Sequence, residues 1–211
     1  MQKYKSVNRR YSQGFTLLEV LVSIVILSFG LLGMVGIQAM ALKSNNDAKQ
    51  QSAAVQLAGE LSDMMRGNKA VAVALTPAAN PYLIADYTGG AITAPVEKCN
   101  EGTGCTTTLN VATWERYDWL TRVNATFPGA RVQVCYDDAP YTGGVGGGIP
   151  QWGCGGVATA GGPISIKIGW TRASTNSDRS TDAAKAGALN LATGANAIPS
   201  VIYIVTPGSP T

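Results

Sequence analysis

The sequence predicts an α+β protein in which one long N-terminal helix packs on a small antiparallel β-sheet. Helical spacing of apolar residues continues from about Thr16 to Arg66, and Gly67-Asn68 supplies a stop signal. Apolar residues at strand spacing then recur in three C-terminal stretches, whose glycine-rich connections favour an antiparallel meander. A sheet with one apolar face needs a cover, and an amphipathic helix would supply it.

The chain begins with a basic segment followed by an apolar run. Residues 15–42 form a run of 28 residues in which Glu19 is the only charged side chain. About 20 apolar residues suffice for a helix to span a bilayer core, so this run can cross a membrane. Basic residues ahead of the run place the N-terminus in the cytoplasm and the rest of the chain outside. These basic residues are Lys3, Lys5, Arg9 and Arg10.

The formal net charge of +3 originates in the same N-terminal segment. Without its four basic residues the remainder of the chain carries −1. The basic character therefore does not predict a nucleic-acid-binding face on the C-terminal domain.

Two ordinary targeting signals are alternatives for the apolar run. Ala39-Met40-Ala41 offers the small-x-small pattern that signal peptidase cuts, but the run is far longer than the roughly 7–15 apolar residues of a signal peptide. An uncleaved signal anchor is the second alternative. Neither uses Glu19, whose carboxylate would cost up to about 3 kcal/mol at the centre of a bilayer. The remaining alternative is that Glu19 has no function and is simply tolerated near the membrane interface.

A third interpretation accounts for these features together. Gly14-Phe15-Thr16-Leu17-Leu18-Glu19 resembles the processing site of type IV pilins and pseudopilins, in which Gly and Phe-Thr-Leu-x-Glu precede an apolar helix. The resemblance implies that a prepilin peptidase cuts after Gly14 and that the new amine of Phe15 is methylated. In a filament, the buried Glu19 carboxylate and a buried Phe15 amine would offset each other's desolvation and fix the register between subunits.

The helix is predicted to continue beyond the membrane. Residues 43–66 are more polar but keep an apolar stripe, which is typical of a helix lying against a globular domain. Gly30, Gly33 and Gly36 lie in the apolar half, where small residues either permit close helix packing or simply loosen the helix. Both explanations stay open. The apolar stripe consists of Ala54, Val55, Leu57, Ala58, Leu61, Met64 and Met65.

The stretches 130–137, 164–172 and 200–207 are predicted as strands. Apolar and polar residues alternate in the first two, so one face of each would be buried and the other exposed. In the second strand, Ser165, Lys167 and Thr171 lie on the opposite face. The third stretch is apolar on both faces, as in a well-covered strand. The residues expected to face the core from the first two are Val132, Val134, Tyr136, Ile164, Ile166, Ile168 and Trp170.

A short second helix is predicted at residues 113–124, before Phe127-Pro128-Gly129 closes the segment. A short helix that ends in Pro-Gly and leads into a cysteine-bearing strand is similar to the minor pilins known as type IV pilus modification proteins, which are PilV-like. This resemblance implies a pilin-like fold, with a long helix laid on a small sheet. The apolar residues repeating along the short helix are Trp114, Tyr117, Leu120 and Val123.

The four cysteines all lie on the predicted outer side of the membrane, where an even number favours disulfides. Three pairings are open. The short spacing favours Cys99–Cys105, which leaves Cys135–Cys154 to close a glycine-rich segment. A four-thiolate zinc site is the rival, but the usual CxxC spacing is absent and no metal site is predicted.

Three loop features have simpler explanations than ligand binding. The glycine-rich residues 143–148 lack the Gly-Lys-Ser/Thr ending of a phosphate-binding loop, so a surface loop pinned by Cys154 is expected. Asp137-Asp138 could hold calcium with nearby carbonyls, but a solvated turn is favoured. Residues 173–198 are small and polar and are predicted as a long loop between the last strands.

The sequence argues against an enzyme and favours a filament subunit. It has no histidine, nucleophile elbow or recognisable acid pair, so no catalytic residue or cofactor is predicted. By resemblance, the chain is expected to be a minor pilin that helps to initiate and assemble a type IV pilus within a tip complex. The alternatives are a pseudopilin of a type II secretion system and a membrane-anchored periplasmic binding module or enzyme.

The predicted organisation follows from this interpretation. Residues 1–14 would be a basic leader peptide, 15–42 a transmembrane and filament-core helix, 43–67 its amphipathic half, and 68–211 a periplasmic globular domain. The precursor would sit in the bacterial inner membrane with its C-terminus in the periplasm and move to the pilus filament or tip after processing. Expected partners are the prepilin peptidase, other minor and major pilins, the inner-membrane assembly platform, the membrane itself and a large tip adhesin.

Overall fold

A computed structural model describes residues 16–102, 104–143, 148–155, 158–173, 189–190 and 197–208. It contains one very long helix, two further helices and six strands within these ranges. The helices are α1 (Leu17–Gly67), α2 (Lys69–Ala72) and α3 (Thr108–Thr126). The strands are β1 (Ile84–Tyr87), β2 (Arg131–Tyr136), β3 (Ile164–Gly169), β4 (Arg172–Ala173), β5 (Leu189–Asn190) and β6 (Val201–Val205).

Four of the strands form an antiparallel sheet in the order β1-β2-β3-β6. Together with α1 this sheet confirms the α+β class, with a long N-terminal helix and a small antiparallel sheet. The three predicted strands correspond to β2, β3 and β6. The edge strand β1 was not predicted, because it is only four residues long, and its pairing with β2 has an irregular register. The short β4 and β5 pair separately, and most of the predicted loop 173–198 lies outside the described residues.

Internal contacts divide the chain into two units, Met1–Asp47 and Ala48–Thr211, and α1 contributes residues to both. In the second unit, the last four turns of α1 bury an apolar stripe in the core. The stripe matches the predicted one except that Val55 is exposed, while Leu57 and Met64 are only partly buried. The fully buried apolar residues of this stripe are Ala54, Ala58, Leu61 and Met65.

The second predicted helix is longer than expected and buries a different face. It starts at Thr108, and the Thr107 hydroxyl caps it by accepting a hydrogen bond from Asn110 N at 3.1 Å. Of the residues that repeat at threes in the sequence, Leu120 and Val123 are buried, whereas Trp114 and Tyr117 are only partly buried. The rings of Trp114 and Tyr117 pack on each other, with centroids 5.6 Å apart. The buried stripe follows four- and seven-residue spacing instead and consists of Ala112, Trp119, Leu120 and Val123.

The predicted exposures of β3 and β6 were also wrong. All six residues of β3 are buried, including Ser165 and Lys167, because β3 is an inner strand with a cover on both faces. By contrast β6 is an edge strand, and Ile204 is 52% exposed. Composition alone does not give the position of a strand in its sheet, which explains both errors.

The second face of β3 is covered by the segment that leads to Cys154. The residues on this face of the sheet are Arg131, Gln133 and Cys135 of β2, together with Ser165 and Lys167 of β3. Trp152 is buried here, and the guanidinium of Arg131 lies 4.3 Å from the centroid of its ring. Trp152 therefore belongs to a second, smaller buried layer, apart from the main core.

Asp137 is not in a solvated turn, which corrects the favoured prediction for that position. Its side chain is fully buried and forms an ion pair with Lys167, with Nζ and Oδ2 2.5 Å apart. Only its neighbour Asp138 is exposed. A lysine in the middle of a sheet needs an acid partner, and Asp137 fills that need.

Both disulfides join the cysteines in the pairing that their spacing favours. Cys99 and Cys105 close a short loop with Cα atoms 4.6 Å apart, and Cys135 and Cys154 join β2 to the covering segment with Cα atoms 6.2 Å apart. Part of the glycine-rich loop, residues 144–147, lies outside the described residues. The arms on either side of it pair through Thr142 N to Ile149 O at 3.0 Å.

Candidate assembly segment

The first half of α1 is apolar on every side and uncovered in this single chain. Its most apolar 18-residue window has a mean hydropathy of 2.6, and none of that window is buried. Every large apolar side chain from Leu17 to Leu42 is exposed, from 45% at Val25 to 91% at Leu17. A helix of this kind needs a lipid bilayer or other helices around it.

Glu19 lies in the first turn of α1, where a carboxylate interacts favourably with the helix dipole. Its backbone N–H donates to Thr16 O at 3.1 Å and to Thr16 Oγ1 at 3.3 Å, so the Thr16 hydroxyl caps the helix. The Glu19 carboxylate itself makes no hydrogen bond or ion pair to any other residue that the structure describes.

The capping role of Thr16 was missed in the sequence, although a signal was present. Thr16-Leu17-Leu18-Glu19 has the S/T-x-x-E pattern of a capping box, in which the first hydroxyl accepts from the N–H of the fourth residue. The hydrogen bond from Glu19 N to Thr16 Oγ1 is one half of that arrangement. Gly14 and Phe15, the predicted cleavage and methylation positions, lie outside the described residues.

The two serine hydroxyls within the apolar segment are satisfied by the helix itself. Ser23 Oγ donates to Glu19 O and Ser28 Oγ donates to Ile24 O, each at 2.7 Å. Such bonds remove the cost of bringing a hydroxyl into an apolar environment. At Gly30 and Gly33 an added Cβ would meet nothing within 4 Å, so the faces of these glycines are open to a neighbouring helix.

Comparison with known families gives one match, at the same end of the chain. Residues 9–35 match the prokaryotic N-terminal methylation motif. The match includes Gly14, Phe15 and Glu19 and extends into the exposed apolar helix. No curated protein and no solved structure is significantly similar to the chain.

This motif is the one that prokaryotic pilins carry, and it supports the type IV pilin family and a general pilin or pseudopilin role for the chain. It indicates a structural subunit rather than an enzyme. It also fits a precursor that is anchored in the inner membrane by its apolar helix and later enters a pilus. Pilus assembly machinery and other pilins are the corresponding general partners.

The second half of α1 contacts α3 through hydrogen bonds and an ion pair as well as through apolar packing. The buried Trp119 donates from Nε1 to Leu57 O at 2.7 Å. Arg122 forms a two-pronged ion pair with Glu60, at 2.7 Å from Nη1 and 2.5 Å from Nη2, and a further bond to Asp118 at 3.0 Å. Hydrogen bonding to Glu60 raises the pKa of the Arg122 guanidinium.

A third polar contact lies near the end of α1. The hydroxyl of Tyr82 donates a hydrogen bond to the carboxylate of Glu115 in α3, and the hydroxyl oxygen lies 3.5 Å from Met64 O. Burial, reinforced by the Glu115 carboxylate, raises the pKa of the Tyr82 hydroxyl well above its usual range, so the donor keeps its proton. Burial also raises the pKa of the Glu115 carboxyl. Within the described ranges, no group of three or more Asp, Glu and Cys side chains is placed to hold a metal ion.

Proposed function

We propose that this chain is a minor pilin, a non-catalytic subunit that takes part in assembling and initiating a type IV pilus. The observation that supports it best is the coincidence of two features. The methylation motif at residues 9–35 runs directly into a helix whose apolar side chains are all exposed from Leu17 to Leu42. A filament core or a bilayer would cover this surface, and a soluble monomer would leave it in water.

In this proposal a prepilin peptidase removes residues 1–14 and the amine of Phe15 is methylated. Residues 15–42 anchor the precursor in the inner membrane and later pack in the filament, residues 43–67 continue the helix, and residues 68–211 form the periplasmic globular domain. The minor-pilin assignment draws support from the order of α3, Phe127-Pro128-Gly129 and the cysteine-bearing strand β2. A tip complex with other minor pilins and a large adhesin is the expected setting.

Glu19 is proposed to pair with the Phe15 amine of a neighbouring subunit. Its carboxylate has no partner among the described residues, and a charge at this depth in an apolar bundle is costly unless it is paired. A pair formed between subunits at one height on each helix would also select a single axial register. The cap by Thr16 keeps the first turn ordered, so the carboxylate projects from a fixed point.

Mass spectrometry of the N-terminus of membrane-extracted protein tests the processing step. The expected mature chain starts at a methylated Phe15, and Gly14→Leu should keep the leader attached. Gly30→Leu, a change within the same segment but away from the cleavage position, is the matched control and should be processed normally. A chain that starts at Leu42, or an intact Met1 in the unaltered protein, would contradict the proposal.

Glu19 variants test the assembly step separately. Glu19→Gln and Glu19→Ala should be cleaved after Gly14 but enter filaments poorly, whereas Glu19→Asp should retain part of the incorporation. Normal incorporation of Glu19→Gln would remove the pairing argument. Deletion of the whole chain should impair piliation and twitching motility; loss of protein secretion with intact pili would instead assign it to a type II secretion system.

A further inference from the structure

The face of the sheet turned away from α1 carries an unusual polar centre. Lys167 lies in the middle of the inner strand β3, directly opposite Gln133 of β2, and its side chain is completely buried. Two residues along the strand, Ser165 lies opposite Cys135. Lys167 and Asp137 are thus buried under the segment 150–155, in which the exposed Cys154 forms a disulfide with the partly buried Cys135.

The ammonium group of Lys167 lies close to three oxygen atoms. It lies 2.5 Å from Asp137 Oδ2, and it donates to Gly153 O at 2.6 Å and to Trp152 O at 3.3 Å. Lys167 therefore has two hydrogen-bond acceptors and one ion-pair partner. The two acceptors are the backbone carbonyls that immediately precede Cys154.

The carboxylate of Asp137 binds the same segment from the other side. Its Oδ1 accepts hydrogen bonds from Gly155 N and from Ala139 N, each at 3.1 Å. Asp137 is itself fixed to the sheet, because its N–H donates to Pro163 O at 3.1 Å and its carbonyl accepts from Ser165 Oγ at 3.3 Å. The ion pair thus holds the backbone on both sides of Cys154, at residues 153 and 155.

We propose that the Asp137–Lys167 ion pair is a positioning device for the Cys135–Cys154 disulfide. It brings Cys154 onto the sheet beside Cys135 before the sulfurs are joined, and it keeps the segment in place when the bond is open. In the joining step the two thiols lose two protons and two electrons to a disulfide oxidant. In the test below the oxidant is glutathione disulfide, which is reduced to two molecules of glutathione.

A comparison with the Cys99–Cys105 disulfide shows why only the Cys135–Cys154 disulfide needs such positioning. Cys99 and Cys105 are 6 residues apart, so their sulfurs meet in a short local loop. Cys135 and Cys154 are 19 residues apart, and the connection contains many glycines, which increases the entropy lost when the loop closes. Contacts already formed on both sides of Cys154 offset that loss.

The test compares the two disulfides within one molecule. The full chain in detergent is reduced, denatured and refolded in a glutathione redox buffer, and each cysteine pair is scored by alkylation and mass spectrometry. Lys167→Met and Asp137→Asn should each lower the equilibrium constant for forming Cys135–Cys154 by about tenfold or more, because each leaves the partner charge or its hydrogen-bonding groups buried without compensation. Cys99–Cys105 should form as in the unaltered chain.

A matched control uses an exposed ion pair at the other disulfide loop. Lys98, just before Cys99, and Glu101, within the loop, are 3.1 Å apart, so Lys98→Met removes a Lys–acid ion pair that is not buried. It should leave both disulfides unchanged. Unaltered Cys135–Cys154 formation in Lys167→Met and Asp137→Asn, or an equal loss of both disulfides, would overturn the positioning role.

A second measurement does not depend on the folding of those variants. The chain with Cys135→Ser and Cys154→Ser keeps the ion pair, so its segment 150–155 should stay on the sheet. Hydrogen exchange at the Gly155 amide, which donates to Asp137, should then stay slowed by at least about tenfold relative to the exposed loop at residues 88–91. Free exchange at Gly155 without the disulfide would overturn the proposal.

Discussion

The two halves of α1 belong to one uninterrupted helix but differ in what covers them. From Leu17 to Leu42 every large apolar side chain is exposed, whereas Ala58, Leu61 and Met65 are fully buried under the sheet and α3. The first half carries apolar residues all round, and the second confines them to a stripe. The two halves thus differ both in how much apolar surface they carry and in how it is distributed around the helix.

This difference indicates that the halves depend on different partners for their stability. The second half is stabilised inside the chain by packing and by hydrogen bonds to α3, so its contribution is measurable on an isolated subunit. The first half is covered by none of the residues that the structure describes, so lipid or other subunits would have to cover it. Substitutions in the two halves should accordingly separate folding from assembly.

The largest effect is expected where the second half is buried. Leu61→Ala leaves a cavity beneath the sheet and should lower the free energy of unfolding by about 2–5 kcal/mol. Leu32→Ala, at a position that is 69% exposed, should change it by less than about 0.5 kcal/mol. Urea unfolding of the full chain in detergent, followed by tryptophan fluorescence, measures both. Equal losses would mean that the first half is covered by its own chain after all.

A smaller effect is expected at the hydrogen bond between the helices. Trp119→Phe removes the donor to Leu57 O and part of the buried ring, so a loss of about 1–2 kcal/mol in unfolding free energy is expected. Trp114→Phe is the matched control, since Trp114 is only partly buried and lies outside the buried stripe of α3. Its unfolding midpoint should hardly move. If Trp114→Phe lowered the free energy of unfolding as much as Trp119→Phe does, the observed orientation of α3 would be contradicted.

The third effect depends on pH. Burial raises the pKa of the Glu115 carboxyl in the folded state, so the folded chain holds this proton more tightly than the unfolded chain. Between the unfolded and folded pKa values, stability therefore falls as pH rises, and the loss is complete above the folded value. Glu115→Gln, which can still accept from Tyr82, should remove this slope in melting curves from about pH 4 to 7. Glu101→Gln, at an exposed carboxylate, should retain it.

Much of this architecture could be predicted from local patterns. The apolar run and the stop at Gly67 placed α1 to within a residue, and strict alternation placed Val132, Val134 and Tyr136 of β2 correctly. The motif around Gly14 and Glu19 was recognised because it is short, contiguous and chemically specific, and the family match covers the same residues.

What could not be predicted depends on contacts between distant segments. The alternation in β3 indicates a polar face. Whether that face is exposed to solvent depends on the segment 150–155, which the Cys135–Cys154 disulfide joins to β2. Lys167 and Asp137 are 30 positions apart, and neither has a neighbour in sequence that reveals the pair. Likewise, the three-residue repeat in the sequence contains Trp114 and not Trp119. In the structure, the buried face of α3 follows four- and seven-residue spacing and contains Trp119 instead.

The smallest effect is expected at the ion pair that links the two helices on the surface. Arg122 and Glu60 are each about two-fifths exposed, so water and salt screen their attraction in spite of good geometry. Arg122→Met should lower the free energy of unfolding by only about 0.2–1 kcal/mol, and the difference from the unaltered chain should shrink in about 1 M salt. Arg122→Lys keeps the charge but loses the two-pronged contact. Its free energy of unfolding should lie between those of the unaltered chain and Arg122→Met. A loss above about 2 kcal/mol that salt does not reduce would show that this pair, rather than the packing of Leu61 and Trp119, holds the second half of α1 in place.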